Sequence, residues 1–274
     1  MAADRRTRAL PGQPEPGLDG PEASQDLPGQ GADTPRAATG VRARAAHAHQ
    51  RSGITAIRKY GRPVQPLLSL PARRPAAITL AGCAVIAIVI AALVAHTSGP
   101  DAVDRAVDSW IRGGLSAHAR ILGLVHDLGE TVQATIITAA IAVASLAARR
   151  LNGAILVVVS VPLAVVLTEV AKHLVRHTLG GYPDYPSGHT TVLFAMATSI
   201  AILLVSPPHR RPPAAARVTL VVIASLVGCA VGVAMIGLGF HYFTDTVGGA
   251  AVGTGVVLAM TFLLDSRRIR GWLA

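Results

Sequence analysis

From residue 76 onward the chain alternates long apolar runs with short polar punctuation. The runs are 76–95, 126–148, 153–171, 190–206, 218–240 and 245–264. Each is close to the ~20 residues a helix needs to cross a hydrocarbon core of about 30 Å. Six transmembrane helices are therefore predicted, the third kinked at Pro162. Between the first two runs, 97–125 places Val103, Val107, Trp110 and Ile111 at helical spacing. That spacing predicts an amphipathic helix, lying at the membrane interface or packed on the spans. Residues 1–75 hold neither a helical nor a strand period and are rich in Pro, Gly, Gln, Asp and Arg, so they read as a disordered tail. Nothing in the tail resembles a signal h-region, so no cleaved signal peptide is expected and the first span serves as an uncleaved anchor. The expected architecture is all-α: an integral membrane six-helix bundle over 76–266, a disordered basic tail over 1–75 and a short basic tail over 267–274.

Charge orients the bundle. The chain has 274 residues, 51% hydrophobic and only 15% charged, with a mean hydropathy of +0.48 and a net charge of +10. The charge is uneven: residues 36–74 carry nine Lys or Arg and no Asp or Glu. If every run spans, that segment falls on the same side as Arg149 and Arg150, as Arg210, Arg211 and Arg217, and as Arg267, Arg268 and Arg270. The positive-inside bias makes that side cytoplasmic and puts both termini there. Asp101, Asp104, Asp108, Asp127 and Glu130 then lie outside, as do the loop from Lys172 to His189 and the residue His241. A basic tail beside a span suits an anionic inner leaflet. Aromatic stacking partners are nearly absent from it, which argues against nucleic acid. Cys83 and Cys229 both lie inside apolar runs, so no structural disulfide is expected. Gly249 and Gly253, at i,i+4, permit close helix packing and leave the oligomeric state open.

Ionisable residues are costly in or beside a membrane, and here they gather at the outer ends of the runs. Lysine occurs only at Lys59 and Lys172. Lys172, with Arg176 one turn on, could hold a phosphate as a point charge and a bidentate fork; snorkelling at a helix end, with Glu169 paired to Lys172, is the plainer reading. Pro186-Ser187-Gly188-His189 precedes the fourth run, where free backbone N–H groups favour an anion and Gly188 lets a ligand approach closely. His189 is a candidate proton donor there, or simply an interfacial residue at a helix start. His241 and Asp245, four apart, share a helical face; a carboxylate on one imidazole nitrogen leaves the other free as base or nucleophile. A satisfied interfacial pair is the alternative. His173 and His177 have the spacing of a metal-chelating pair, but no cysteine and few carboxylates accompany them, and no metal site is expected.

These residues together resemble the type-2 phosphatidic acid phosphatase family, membrane lipid phosphatases that share a site with vanadium haloperoxidases. The family pattern is a Lys followed by Arg-Pro, then Pro-Ser-Gly-His, then Ser-Arg with a His and, four residues on, an Asp. The chain matches Lys172, all of Pro186–His189, and His241 with Asp245; the resemblance spans about 76–265. Leu179-Gly180 stands where Arg-Pro is expected, with Arg176 the nearest substitute, and Ala234-Met235 stands where Ser-Arg is expected. The resemblance implies a metal-independent phosphatase, without cofactor, acting on a lipid phosphate monoester or diphosphate of phosphatidate or prenyl type at the outer surface. His241 would attack phosphorus to form a phosphohistidine, Asp245 would orient it, and His189 would protonate the leaving alkoxide and then activate water. Lys172, Arg176 and backbone N–H groups near Ser187 and Gly188 would hold the phosphoryl oxygens. A missing arginine contact costs roughly 2–4 kcal/mol of transition-state stabilisation, so a weakened enzyme or a compensating cation is expected. The alternative is a family member that binds lipid phosphate, or scaffolds a membrane complex, without turnover. Haloperoxidase chemistry, which uses several arginines around vanadate, is not expected.

Overall fold

The computed structural model describes residues 66–206 and 213–266. Helices account for most of them. They are α1 Leu70–Val94, α2 Ala102–Leu115, α3 Ala119–His126, α4 Thr131–Ala147, α5 Leu151–Val175, α6 Gly188–Val205, α7 Ala214–Gly237 and α8 Phe243–Leu264. Short 3-10 turns, Ser116–His118 and Asp127–Gly129, link α2 to α3 and α3 to α4. The only strands among the described residues, β1 Thr178–Leu179 and β2 Tyr182–Pro183, form one antiparallel hairpin between α5 and α6.

Five helices, α1, α5, α6, α7 and α8, are long and apolar enough to cross a membrane. The second apolar run becomes α4, which has 17 residues. It forms a sixth span only together with Ala102–Gly129, from which it bends by 52°. The chain is a multi-pass membrane protein. Large aliphatic side chains such as Ile78, Ile88, Leu93, Val158 and Val222 point outward from these helices, as expected where the surrounding solvent is lipid.

The packed domain begins earlier than the hydrophobic pattern indicates. Residues 66–75, assigned above to the disordered tail, are ordered. Leu67 and Leu68 are buried, and their N–H groups donate to the two carboxylate oxygens of Asp265, just beyond α8, at 2.7 and 2.9 Å. Arg73 reaches the same carboxylate at 3.8 Å. The bidentate Asp265 contact ties the two ends of the domain together at the end remote from His241. Residues 1–65 and 267–274, and hence the expected basic tails, lie outside the described residues.

The centre of the bundle is the pair α6 and α8, which also contact α5, with α1 against α8 and α7 against α6. Glycines let α6 and α8 touch at backbone distance. A Cβ on Gly253 would lie 2.2 Å from Thr191 O, and one on Gly249 2.5 Å from Ser187 O. These two glycines therefore serve packing inside the bundle. Gly248 makes room for the Tyr185 ring, whose Oη donates to Ala87 O of α1 at 2.7 Å.

The segment 97–125 is helical as predicted, but α2 turns an acidic edge inward. Asp104, Asp108 and Ile111 are buried, whereas Val103 and Trp110 are exposed. Asp104 accepts from Thr244 N at 2.9 Å and Asp108 from Phe243 N at 3.1 Å. The first N–H groups of α8, which have no partner within their own helix, are thus capped by carboxylates from another helix. Negative charge there also suits the positive end of the α8 dipole.

Candidate active site

The hairpin decides what surrounds His241. Helix α5 ends at Arg176, in the left-handed conformation at φ 56. The turn residues Gly180 and Gly181 have φ 58 and 90, positive values that favour glycine and suit a two-residue hairpin. The register Thr178↔Pro183 and Leu179↔Tyr182 places His177 and Asp184 opposite one another, and Asp184 N donates to His177 O at 2.9 Å. The segment expected to carry Arg-Pro is thus a tight turn that delivers a histidine and an aspartate side by side.

His241 precedes α8 and does not share a helical face with Asp245. Its Nδ1 lies 2.6 Å from Asp184 Oδ1 and 3.8 Å from Asp245 Oδ2. The shorter contact is off the line of the ring N–H. Asp245 Oδ2 accepts from Tyr242 N at 2.9 Å, so Asp245 caps the start of α8 as well as facing His241. The other oxygen, Oδ1, is 3.9 Å from His177 Nε2. Burial disfavours the charged imidazolium of His241, but the two carboxylates outweigh it and raise its pKa above the ordinary histidine value. Nδ1 is thereby committed to the acidic side, and Nε2 makes no hydrogen bond among the described residues.

Pro186–His189 enters α6 beside the same group. Ser187 is the N-cap residue and is fully buried; its N–H donates to Asp245 O at 3.0 Å, which fixes the start of α6 to α8. A Cβ on Gly188 would meet nothing within 4 Å, so the backbone there borders open space. His189, half-buried, stacks on His126 with ring centroids 4.7 Å apart, and its Nε2 is 3.5 Å from Glu130 Oε1. Gly129 permits this approach, since a Cβ on it would lie 2.6 Å from His189 Cδ2. Phe240 closes the other side of His126 at 5.2 Å.

The expected anion clamp is less assembled. Lys172 Nζ pairs with Glu169 Oε1 at 2.9 Å, the snorkelling arrangement, and Arg176 is exposed. Met235 is a buried member of the hydrophobic core. Its carbonyl accepts from Phe240 N at 2.9 Å, so only its backbone borders the loop of His241. The i,i+4 geometry of His173 and His177 is not realised. His173 Nδ1 contacts Glu169 O at 2.7 Å on the exposed side of α5, while His177 lies beyond the helix end and is buried.

The structure thus brings together His241, Asp245 and, through Ser187 and α6, the entry to His189. It adds Asp184, Glu130 and His126, which motif reading passes over, and His177, which that reading weighs only as a chelating partner of His173. A signal for Asp184 was present: an aspartate two residues before Pro186, behind a Gly-Gly turn and next to an apolar run, needs a partner.

Residues 167–269 match the family model of the PAP2 superfamily. No curated protein matches this sequence. Among solved structures, the fold resembles that of a transmembrane PAP2-type phosphatidylglycerolphosphate phosphatase from Bacillus subtilis. The two share 16% sequence identity with a TM-score of 0.54, over 68% of this chain and 96% of that one.

Proposed function

We propose, from the match of residues 167–269 to the PAP2 superfamily model, that this chain is a PAP2-type integral membrane phosphatase. Its substrate on this reading is a lipid phosphate monoester or diphosphate, cleaved at the extracytoplasmic surface. The observation that carries it is the posture of His241. Carboxylates hold its Nδ1 side, so the neutral ring carries its proton there and keeps the Nε2 lone pair for attack.

The chemistry runs in two balanced halves. His241 Nε2 forms a bond to phosphorus as the bond to the lipid oxygen breaks, and His189 gives its proton to the departing alkoxide. Water then attacks the phosphohistidine and loses its proton to His189, the P–N bond breaks, and phosphate leaves. Glu130 Oε1, 3.5 Å from His189 Nε2, is placed to pair with the imidazolium that acts in the first half. Free N–H groups at the start of α6, bordered by open space at Gly188, suit the phosphoryl oxygens. Lys172 can join them on leaving Glu169, and Arg176 is free to swing. None of these steps calls for a metal ion. The extracytoplasmic assignment rests on the loop charges, because the helix ends carrying the site are those opposite Arg149, Arg150 and Arg217.

A second reading, binding of a lipid phosphate without turnover, is favoured by the apolar burial of Met235 and the Lys172–Glu169 pair. Purified protein in detergent decides between them. On a panel of lipid phosphates the wild type should release inorganic phosphate and His241→Ala should not. Binding of a lipid phosphate with no release from either protein would establish the second reading.

A further inference from the structure

Behind His241, on the side away from the proposed attack, four buried side chains each leave a polar atom unsatisfied. His177 Nε2, Asp184 Oδ2, His241 Nδ1 and Asp245 Oδ1 are buried and make no hydrogen bond. All four side chains are at least nine-tenths buried. One ligand atom from each of Asp184, His241 and Asp245 falls within 4.8 Å of the others, and His177 Nε2 is 3.9 Å from Asp245 Oδ1.

The protonation of His177 follows from its other neighbour. Thr97 Oγ1 donates to Val94 O at 2.7 Å and lies 2.8 Å from His177 Nδ1. A hydroxyl has one proton. Both contacts are satisfied only when Thr97 gives that proton to Val94 and accepts from His177 Nδ1–H. The ring is then the Nδ1–H tautomer, and Nε2 presents a bare lone pair to a buried carboxylate oxygen. Two lone pairs facing each other in a low-dielectric site repel unless a proton or a metal ion lies between them.

We propose that His177, Asp184, His241 and Asp245 form a site for a divalent transition-metal ion of the zinc class, and that its occupancy switches off His241 as a nucleophile. Zinc bonds to N and O of about 2.0–2.2 Å put neighbouring tetrahedral ligands roughly 3.4 Å apart. Asp184, His241 and Asp245 already bring one ligand atom each within 4.8 Å of the others, and His177, 3.9 Å from the second oxygen of Asp245, completes the shell by moving inward. Two imidazoles and two carboxylates suit zinc, cobalt or manganese better than magnesium or calcium, which take mainly oxygen. The two carboxylates neutralise the ion. The bond from His177 Nδ1 to Thr97 is of the kind that fixes the orientation of a metal-bound imidazole.

The off state rests on the phosphohistidine reading. When a metal takes the Nδ1 lone pair of neutral His241, the ring proton must sit on Nε2. That nitrogen then has no lone pair for phosphorus.

The test uses full-length, tag-free protein in detergent, stripped with EDTA and titrated with cobalt(II) and zinc, beside His177→Gln, Asp184→Asn and His126→Ala. The proposal predicts roughly one tightly held equivalent of zinc and the visible absorption of tetrahedral cobalt(II). Both should be kept in His126→Ala and lost in His177→Gln and Asp184→Asn. Circular dichroism and thermal unfolding of each variant separate ligand loss from misfolding, and His177→Gln keeps a donor for Thr97. Zinc at ten times its Kd should cut wild-type phosphate release about tenfold by mass action, EDTA should restore it, and His177→Gln should need at least ten times more zinc. No metal bound by an active wild type overturns the inference and leaves the phosphatase reading standing. Metal bound by a protein without turnover supports the site and removes the phosphatase reading. Binding lost in His126→Ala but kept in His177→Gln moves the ion to His126, Glu130 and His189, and overturns the proposal. Turnover that requires zinc overturns the off state.

Discussion

Asp184 N donates to His177 O at 2.9 Å, one step beyond the last pair of a two-strand hairpin. Through this bond a turn of two glycines becomes part of the proposed reaction centre, because the same Asp184 places Oδ1 2.6 Å from His241 Nδ1. The carboxylate nearest to the candidate nucleophile comes from the α5–α6 connection, and Asp245 stands farther off as cap and second acceptor.

Asp184 should therefore govern both rate and pH dependence. The proposed attack needs neutral His241, so turnover rises as pH climbs through the His241 pKa, which the carboxylates hold above the ordinary value. Asp184→Asn removes one source of that elevation, and the acid limb of the kcat/KM profile should move to lower pH. Turnover on the plateau should fall by roughly a hundredfold, less than the ~10⁴-fold seen when a triad aspartate is replaced, because Asp245 remains. A profile measured over the acid limb checks both; an unmoved limb would assign the role to Asp245 alone.

Gly129→Ala should act on His189 without touching His241. The new Cβ lies 2.6 Å from His189 Cδ2, and the ring must give way. General acid catalysis is worth about 10²–10⁴-fold, and it matters most for a poor leaving group. The expected result is a loss of tenfold or more on an alkyl phosphate and little change on p-nitrophenyl phosphate, whose leaving group needs no proton. Equal losses on both would place the effect elsewhere.

Gly253→Ala tests the backbone contact of α6 and α8. Its Cβ would stand 2.2 Å from Thr191 O and 3.0 Å from Ala195 N, so the helices must separate, at about 1–3 kcal/mol for overpacking. Thermal unfolding in detergent should show a clear drop. Gly82→Ala in α1, with nothing within 4 Å, should show none.

Met235→Arg should not strengthen the site. Met235 is 2% exposed within the apolar core, and an unpaired guanidinium in a membrane helix costs roughly 3 kcal/mol or more. Reduced folded yield and lower thermal stability are expected, with no gain in phosphate release. A stable, faster variant would mean that this position can turn toward the substrate.

Much of the bundle is legible from hydrophobic runs alone, because lipid as solvent forces long apolar helices, and α5 to α8 follow their runs closely. Pro186–His189 and His241 with Asp245 are legible because charged groups at the ends of apolar runs demand an explanation. Three features leave little trace. Two-residue strands carry no period, so the hairpin that pairs His177 with Asp184 is visible only as two glycines. Helix α2 reads as amphipathic, but its aspartates face inward because the start of α8 offers N–H groups that need acceptors. Leu67 and Leu68 look like the end of a tail until Asp265, nearly two hundred residues away, receives their N–H groups.

The central claim is a covalent phosphoryl group on His241. Rapid quenching of the wild type with a phosphate-labelled lipid substrate should trap labelled protein whose label survives alkali and is lost in acid, the behaviour of a phosphohistidine. His241→Ala should trap none and release no phosphate, while His189→Ala should accumulate label through slowed hydrolysis when given an activated phosphate ester. Phosphate release by His241→Ala at the wild-type rate, or label retained at another residue, would contradict the account.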